Sequence, residues 1–315
     1  MGFAIYYNGL CSHHHLRPEF QMVTTLASSE CREPGALRRR ALTKLDRELS
    51  KGHFKSALSL VKELQGKPDG LRGFGAARQI PRSIYKLDEL QQNGIDMSFL
   101  VPLVVSVLDS VERSLQFAAV DSVSFNGRLE NLMIDAISDS VYEENHITCM
   151  QHEAGHFLTA YLLGVLPRGY EVPSIEDFRK DNFLGGKVGF LGFEFLEDIH
   201  TGKLPKRKVN NGKVSARNLN RFSCIALAGL ASECLVFGCS ESSSSDVLKL
   251  DRVFKWLGFT ESEVDAQVRW AVLNTLLILH RHNEARSRLA EAMALRRSVG
   301  FCIDTIENTL NLSDI

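Results

Sequence analysis

The chain has 315 residues, 44% of them hydrophobic and 24% charged, with a net charge of −1. This is an ordinary globular composition, long enough for one large or two modest cores, and its charge balance creates no global field toward nucleic acid or an anionic membrane. The seven cysteines, at 11, 31, 149, 224, 234, 239 and 302, are odd in number and contain no C-x-x-C pair, which argues against a disulfide framework and for a reducing compartment.

Residues 1–35 show little periodicity and lack the long apolar core of a secretory signal. Tyr6 breaks the myristoylation pattern. The segment is expected to be disordered or a degenerate targeting segment, with His13, His14 and His15 part of a polar tail. From Ala36 to Leu64 the residues Leu42, Leu45, Leu49, Phe54, Leu58 and Val61 recur at helical spacing, interrupted at Gly52. The basic run Arg38–Arg40 reads as a solvated face. Residues 66–81, rich in Gly, Pro and Arg, read as a loop, and helices are expected at Ile84–Gln92 and Ser98–Ala119. Together 36–125 reads as a small helical N-terminal domain. The apolar stretch Met97–Leu108 is too short to span a bilayer, and no transmembrane helix is expected.

A second, larger domain is expected over 126–315. It opens with a helix at Asn126–Ser140 and a second one at Ile147–Leu163, which ends near Gly164 and Pro167. Between Leu184 and Leu204, glycines at 185, 186, 189, 192 and 202 punctuate Val188, Phe190, Phe193, Phe195 and Ile199, the pattern of a β-ribbon. Ser215–Phe237 reads as one helix, with Ser215 as N-cap and Gly238 at the left-handed C′ position. The serine run 242–245 feeds a helix from Asp246 to Leu257. Helices at Ser262–His280, Asn283–Arg297 and Val299–Leu310 close a mainly α fold. Cys149, Cys224 and Cys234 fall in apolar helical runs and read as small core residues.

The chemistry centres on His152-Glu153-Ala154-Gly155-His156. Residues four apart share a helix face, so both imidazoles can aim at one point. That spacing suits zinc, with the glutamate between them as general base. Gly155 is expected to leave the metal side uncrowded. A catalytic zinc takes three protein ligands and keeps an open position. No His follows the motif until His200, which disfavours the metzincin arrangement; acidic candidates for the third ligand are Glu171, Glu176, Glu194, Glu233, Glu241, Asp246 and Asp251. Asp246, after a serine loop and at a helix start, can reach a neighbouring helix and is favoured there by the helix dipole. Glu233, inside an apolar helix, needs a partner if buried. It suits a role behind a ligand imidazole, or that of third ligand itself.

At these residues the sequence resembles the FtsH-type zinc metallopeptidases. The resemblance runs through His152–His156, then Leu227-Ala228-Gly229-Leu230-Ala231-Ser232-Glu233 with Leu235-Val236-Phe237-Gly238, then Ser244-Ser245-Asp246-Val247, and covers about residues 145–312. It implies His152, His156 and Asp246 as ligands of one zinc ion, with Glu153 as base. Around Ala160-Tyr161-Leu162-Leu163-Gly164-Val165-Leu166-Pro167 it is similar to plant plastid members that lack the ATPase module. In agreement, no G-x-x-x-x-G-K-S/T loop is found, so no ATP site is expected in this chain. Ala228 and Leu230 stand where the family has Gly and Arg.

The reading is therefore a zinc metalloendopeptidase acting on unfolded or flexible proteins, in plastid (chloroplast) protein quality control. It would act alone or beside an ATP-driven unfoldase or FtsH-type partner. No nucleic acid is expected as a partner, and peripheral membrane association stays open. The alternative is a non-catalytic scaffold or assembly factor that keeps the peptidase fold.

Overall fold

The computed structural model describes residues 35–67, 69–80, 97–124, 142–173, 186–193, 214–238 and 244–311. In chain order these form α1 (Ala36–Ser50), α2 (Phe54–Leu64), α3 (Met97–Ser124), α4 (Tyr142–Leu162), β1 (Pro167–Glu171), β2 (Lys187–Phe190), α5 (Ala216–Ala226), α6 (Ala228–Phe237), α7 (Ser244–Leu257), α8 (Glu261–Arg281), α9 (Asn283–Ala294) and α10 (Val299–Thr309). The protein is mainly helical with a small antiparallel strand pair, as the periodicity predicts. The expected helices at Ile84–Gln92 and Asn126–Ser140, and the N-terminal segment, lie outside the described residues.

α4 is the central element. Ala154, Phe157, Leu158, Ala160, Tyr161 and Leu162 are fully buried, because α6, α9, α5 and α8 all pack against this helix. From His152 to Leu162 the helix is buried on every side, its polar groups there belonging largely to the site. Its C-terminus closes as a Schellman motif: Gly164 takes φ 76°, its N–H donates to Tyr161 O at 3.0 Å, and Val165 N–H donates to Ala160 O at 2.8 Å. The segment after α2 adds to this closure. Gly75 N–H donates to Tyr161 O at 3.1 Å and Ala77 N–H to Leu162 O at 2.9 Å, so last-turn carbonyls of α4 are satisfied from outside the helix.

The buried carboxylate of Glu307 on α10 ties the same segment down. It accepts from Tyr161 Oη at 2.6 Å, Gly73 N–H at 2.7 Å and Arg72 N–H at 2.9 Å. Burial, followed by the charge of Glu307, pushes the Tyr161 phenol well above its ordinary pKa.

The run 36–64 is interrupted at Gly52 as expected, where φ 73° separates α1 from α2. Other expectations are corrected in detail. The run Ser215–Phe237 breaks at Leu227 into α5 and α6; the expected Ser215 cap is present, accepting from Asn218 N–H at 3.2 Å, and Gly238 is left-handed at φ 80°. Within the described residues, β2 pairs with β1 rather than with a strand of its own glycine-rich segment, in the register Gly169↔Gly189 and Tyr170↔Val188. Pro167, read as a stop, thus also begins a strand. Arg38 is not on a solvated face. It is 6% exposed, donates from Nε to Asp304 Oδ1 at 2.6 Å and reaches Asn308, while Arg39 and Arg40 are exposed as expected.

The described residues form one compact unit. α1 packs on α10, and α3 packs on α6, α7 and α8, so helices from both sides of the expected 125/126 boundary share one core. By length and composition, Ala216–Phe237 could cross a bilayer, but 78% of its most apolar window is buried inside the protein.

Candidate metal centre

α4 presents His152 and His156 one turn apart, and their Nε2 atoms lie 2.9 Å from each other. The first turn of α7 brings Asp246 Oδ2 to 3.2 Å from both. These three side chains form a group able to hold a metal ion.

The far side of each imidazole fixes what the near side can do. His156 Nδ1 stands 2.7 Å from the Ile225 carbonyl, which only accepts, so Nδ1 carries the proton and Nε2 presents a lone pair. His152 Nδ1 stands 2.6 Å from Glu233 Oε1, and a carboxylate there selects the same tautomer. Two nitrogen lone pairs and a carboxylate oxygen therefore converge, an arrangement that repels itself unless a cation or proton lies among them. Zinc bonds of about 2.0–2.1 Å in a tetrahedron give ligand–ligand edges of about 3.3 Å, close to the observed edges. The donor set fits the ion.

Electrostatics follow the same logic. Burial would lower the His152 pKa, yet hydrogen bonds to Asp246 and Glu233 outweigh it and the net shift is well upward. Burial would raise that of Asp246, yet the two histidines hold it well below its usual range. Glu153 is 4% exposed, and burial raises its pKa. Its Oε2 has no hydrogen-bond partner among the described residues. It is a buried acceptor beside the imidazoles, free to take a proton.

Small residues make the room. A Cβ on Gly229 would stand 2.2 Å from the His152 ring, and one on Gly186, just before β2, would stand 2.7 Å from Glu153 Oε1. Gly155 does not serve as expected. Its open side is filled by Ala228 O and Ser232 Cβ of α6, so it lets α4 and α6 approach closely rather than clearing the metal side. Ser232 Oγ completes this contact by donating to Gln151 O at 2.6 Å.

Of the acids considered, Asp246 faces the histidines and Glu233, fully buried, stands behind one of them. Asp251 pairs with Lys255 at 2.7 Å instead. Glu171 sits at the end of β1 opposite Lys187. Glu176, Glu194 and Glu241 lie outside the described residues. Cys224 and Cys234 are buried thiols outside any disulfide and Cys149 is half-buried; desolvation pushes the Cys149 thiol up to about 12. A shallow groove on α3, lined by Val101, Pro102, Val105 and Asp109, holds none of these groups.

Two contributors escaped the sequence reading. Gly229 precedes Glu233 by one helical turn, so the gap and the carboxylate that grip His152 share a face of α6. Lys249 follows Asp246 by three residues on α7 and donates from Nζ to Asp246 Oδ1 at 2.8 Å. Helical spacing was the available signal for both.

No protein-family model matches this chain, and no curated protein or solved structure matches it either.

Proposed function

We propose that the protein is a zinc metalloendopeptidase of the FtsH type. The observation that carries this reading is the convergence of His152 Nε2, His156 Nε2 and Asp246 Oδ2 beside a buried Glu153 whose Oε2 is unpartnered among the described residues. A purely structural ion needs the ligands but not the base. The resemblance of residues 145–312 to that family supports the same assignment.

In this reading His152, His156 and Asp246 hold one zinc ion per chain, and Glu233 and Ile225 O fix the imidazole tautomers. Zinc, when bound, supplies Lewis acidity toward the scissile carbonyl and toward water. Glu153 accepts the proton of the attacking water at Oε2 and returns it to the leaving amine. Its burial suits that exchange, because a raised carboxyl pKa shortens the gap to the groups it trades protons with. The substrates are unfolded or flexible polypeptides, with an ATP-driven unfoldase as the source of unfolded chains, and the plastid setting follows the same resemblance.

The test is cleavage of casein by purified, zinc-loaded protein against Glu153→Gln. Loss of cleavage in the variant supports the peptidase. Equal behaviour of the two proteins, in cleavage and in rescue of a null mutant, gives the scaffold reading instead.

A further inference from the structure

Asp246 offers two oxygens, and they have different partners. Oδ2 faces the two imidazoles at 3.2 Å. Oδ1 faces away and receives Lys249 Nζ at 2.8 Å. Both residues stand on the first turns of α7, so one rigid helical segment carries the carboxylate and the cation that grips it. Asp246 is 17% exposed at its side chain and Lys249 42%. The contact is therefore half-sheltered.

We propose that Lys249 is a positioning residue which holds Asp246 Oδ1 away from the metal, so that the carboxylate ligates through Oδ2 alone. This deepens the zinc reading and rests on it.

The chemistry turns on coordination number. A carboxylate free to rotate can chelate through both oxygens. A second oxygen beside the bound water would raise the coordination number from four to five and crowd the position a catalytic zinc keeps for its reactant. With Oδ1 engaged by an ammonium, chelation would require breaking a charge-assisted hydrogen bond. Groups of this kind, one bond behind a ligand, set its orientation, and their loss lowers metal affinity about 10–100-fold. A surface Lys–Asp pair with no such role contributes about 0–1 kcal/mol to stability and nothing to coordination.

The experiment loads wild type, Lys249→Met and Lys249→Arg with cobalt(II), whose visible absorption is strong in four-coordinate sites and weak in five-coordinate ones. Zinc dissociation constants are measured by chelator competition on the same preparations. Wild type should show the four-coordinate spectrum. Lys249→Met should move toward the weak five-coordinate spectrum and lose about tenfold or more in zinc affinity. Lys249→Arg, which retains donor and charge, should recover most of both. An unchanged spectrum and affinity in Lys249→Met, with wild type binding cobalt normally, overturns the positioning role and leaves the zinc site standing. Failure of wild type to bind cobalt or zinc overturns the zinc reading itself. Circular dichroism confirms that each variant is folded before its spectrum is compared.

Discussion

Glu233 Oε1 lies 2.6 Å from His152 Nδ1 at the heart of the protein, joining a residue of α6 to one 81 positions earlier in the sequence on α4. The carboxylate is fully buried and has this imidazole as its partner, so it fixes the ring's tautomer and direction together. Glu233→Gln should keep the fold but weaken zinc binding about 10–100-fold, because the amide can no longer act as a charged acceptor. Chelator competition against wild type measures it.

Gly229 should tolerate no side chain. A methyl group there would stand 2.2 Å from the His152 ring, closer than any non-bonded contact allows. Gly229→Ala should displace the imidazole, reduce zinc retention after gel filtration, and cost about 1–3 kcal/mol in stability as an overpacked core does. Urea denaturation with parallel metal analysis separates the two effects.

Zinc loading should reverse the pH response of stability. In zinc-free protein the His152 pKa is raised well above its unfolded value of about 6.5. Its stabilising contribution is then complete below about pH 6.5 and fades as pH rises through the folded pKa. Asp246 is depressed, so its contribution is present above about pH 3.9 and lost as pH falls through its folded value. Zinc displaces the His152 proton, so zinc affinity rises with pH. Between about pH 6.5 and 8.5, the melting temperature with chelator should fall through the His152 contribution, while the gain on adding saturating zinc should grow. Thermal melts at several pH values, with and without zinc, read both trends.

Glu307 should be a stability residue with no part in the chemistry. Glu307→Ala strips the acceptor from Tyr161 Oη, Gly73 N–H and Arg72 N–H. Leaving buried donors unsatisfied costs about 1–3 kcal/mol each, so the variant should lose on the order of 3 kcal/mol in urea denaturation while binding zinc with wild-type affinity below its unfolding transition.

The sequence showed the site more clearly than the packing around it. His152, Glu153 and His156 are local: their spacing and helical setting determine the shared face without knowledge of any partner. Helix ends marked by Ser215 and Gly238 are local as well and occur where expected. Asp246 and Glu233 stood among seven acids open on sequence grounds, and contacts across 94 and 81 residues, which no local pattern encodes, single them out. What depended on long-range contact was misread. Arg38 looked like part of a solvated run because its partners Asp304 and Asn308 are at the other end of the chain. Pro167 signalled the end of a helix but gave no sign that the following residues would pair with Lys187–Phe190. Gly155 was assigned to the metal because it lies between the histidines, whereas its space belongs to the α4–α6 contact.

The most direct test of the central claim measures bound zinc and cleavage rate on the same preparations of wild type, Asp246→Ala and Glu153→Gln. The account predicts about one zinc per chain and cleavage for wild type. Asp246→Ala should lose both, because its oxygen completes the coordination sphere. Glu153→Gln should keep the metal and lose cleavage, because Glu153 acts on water and not on the ion. Full zinc retention in Asp246→Ala, or undiminished cleavage by Glu153→Gln, would contradict it.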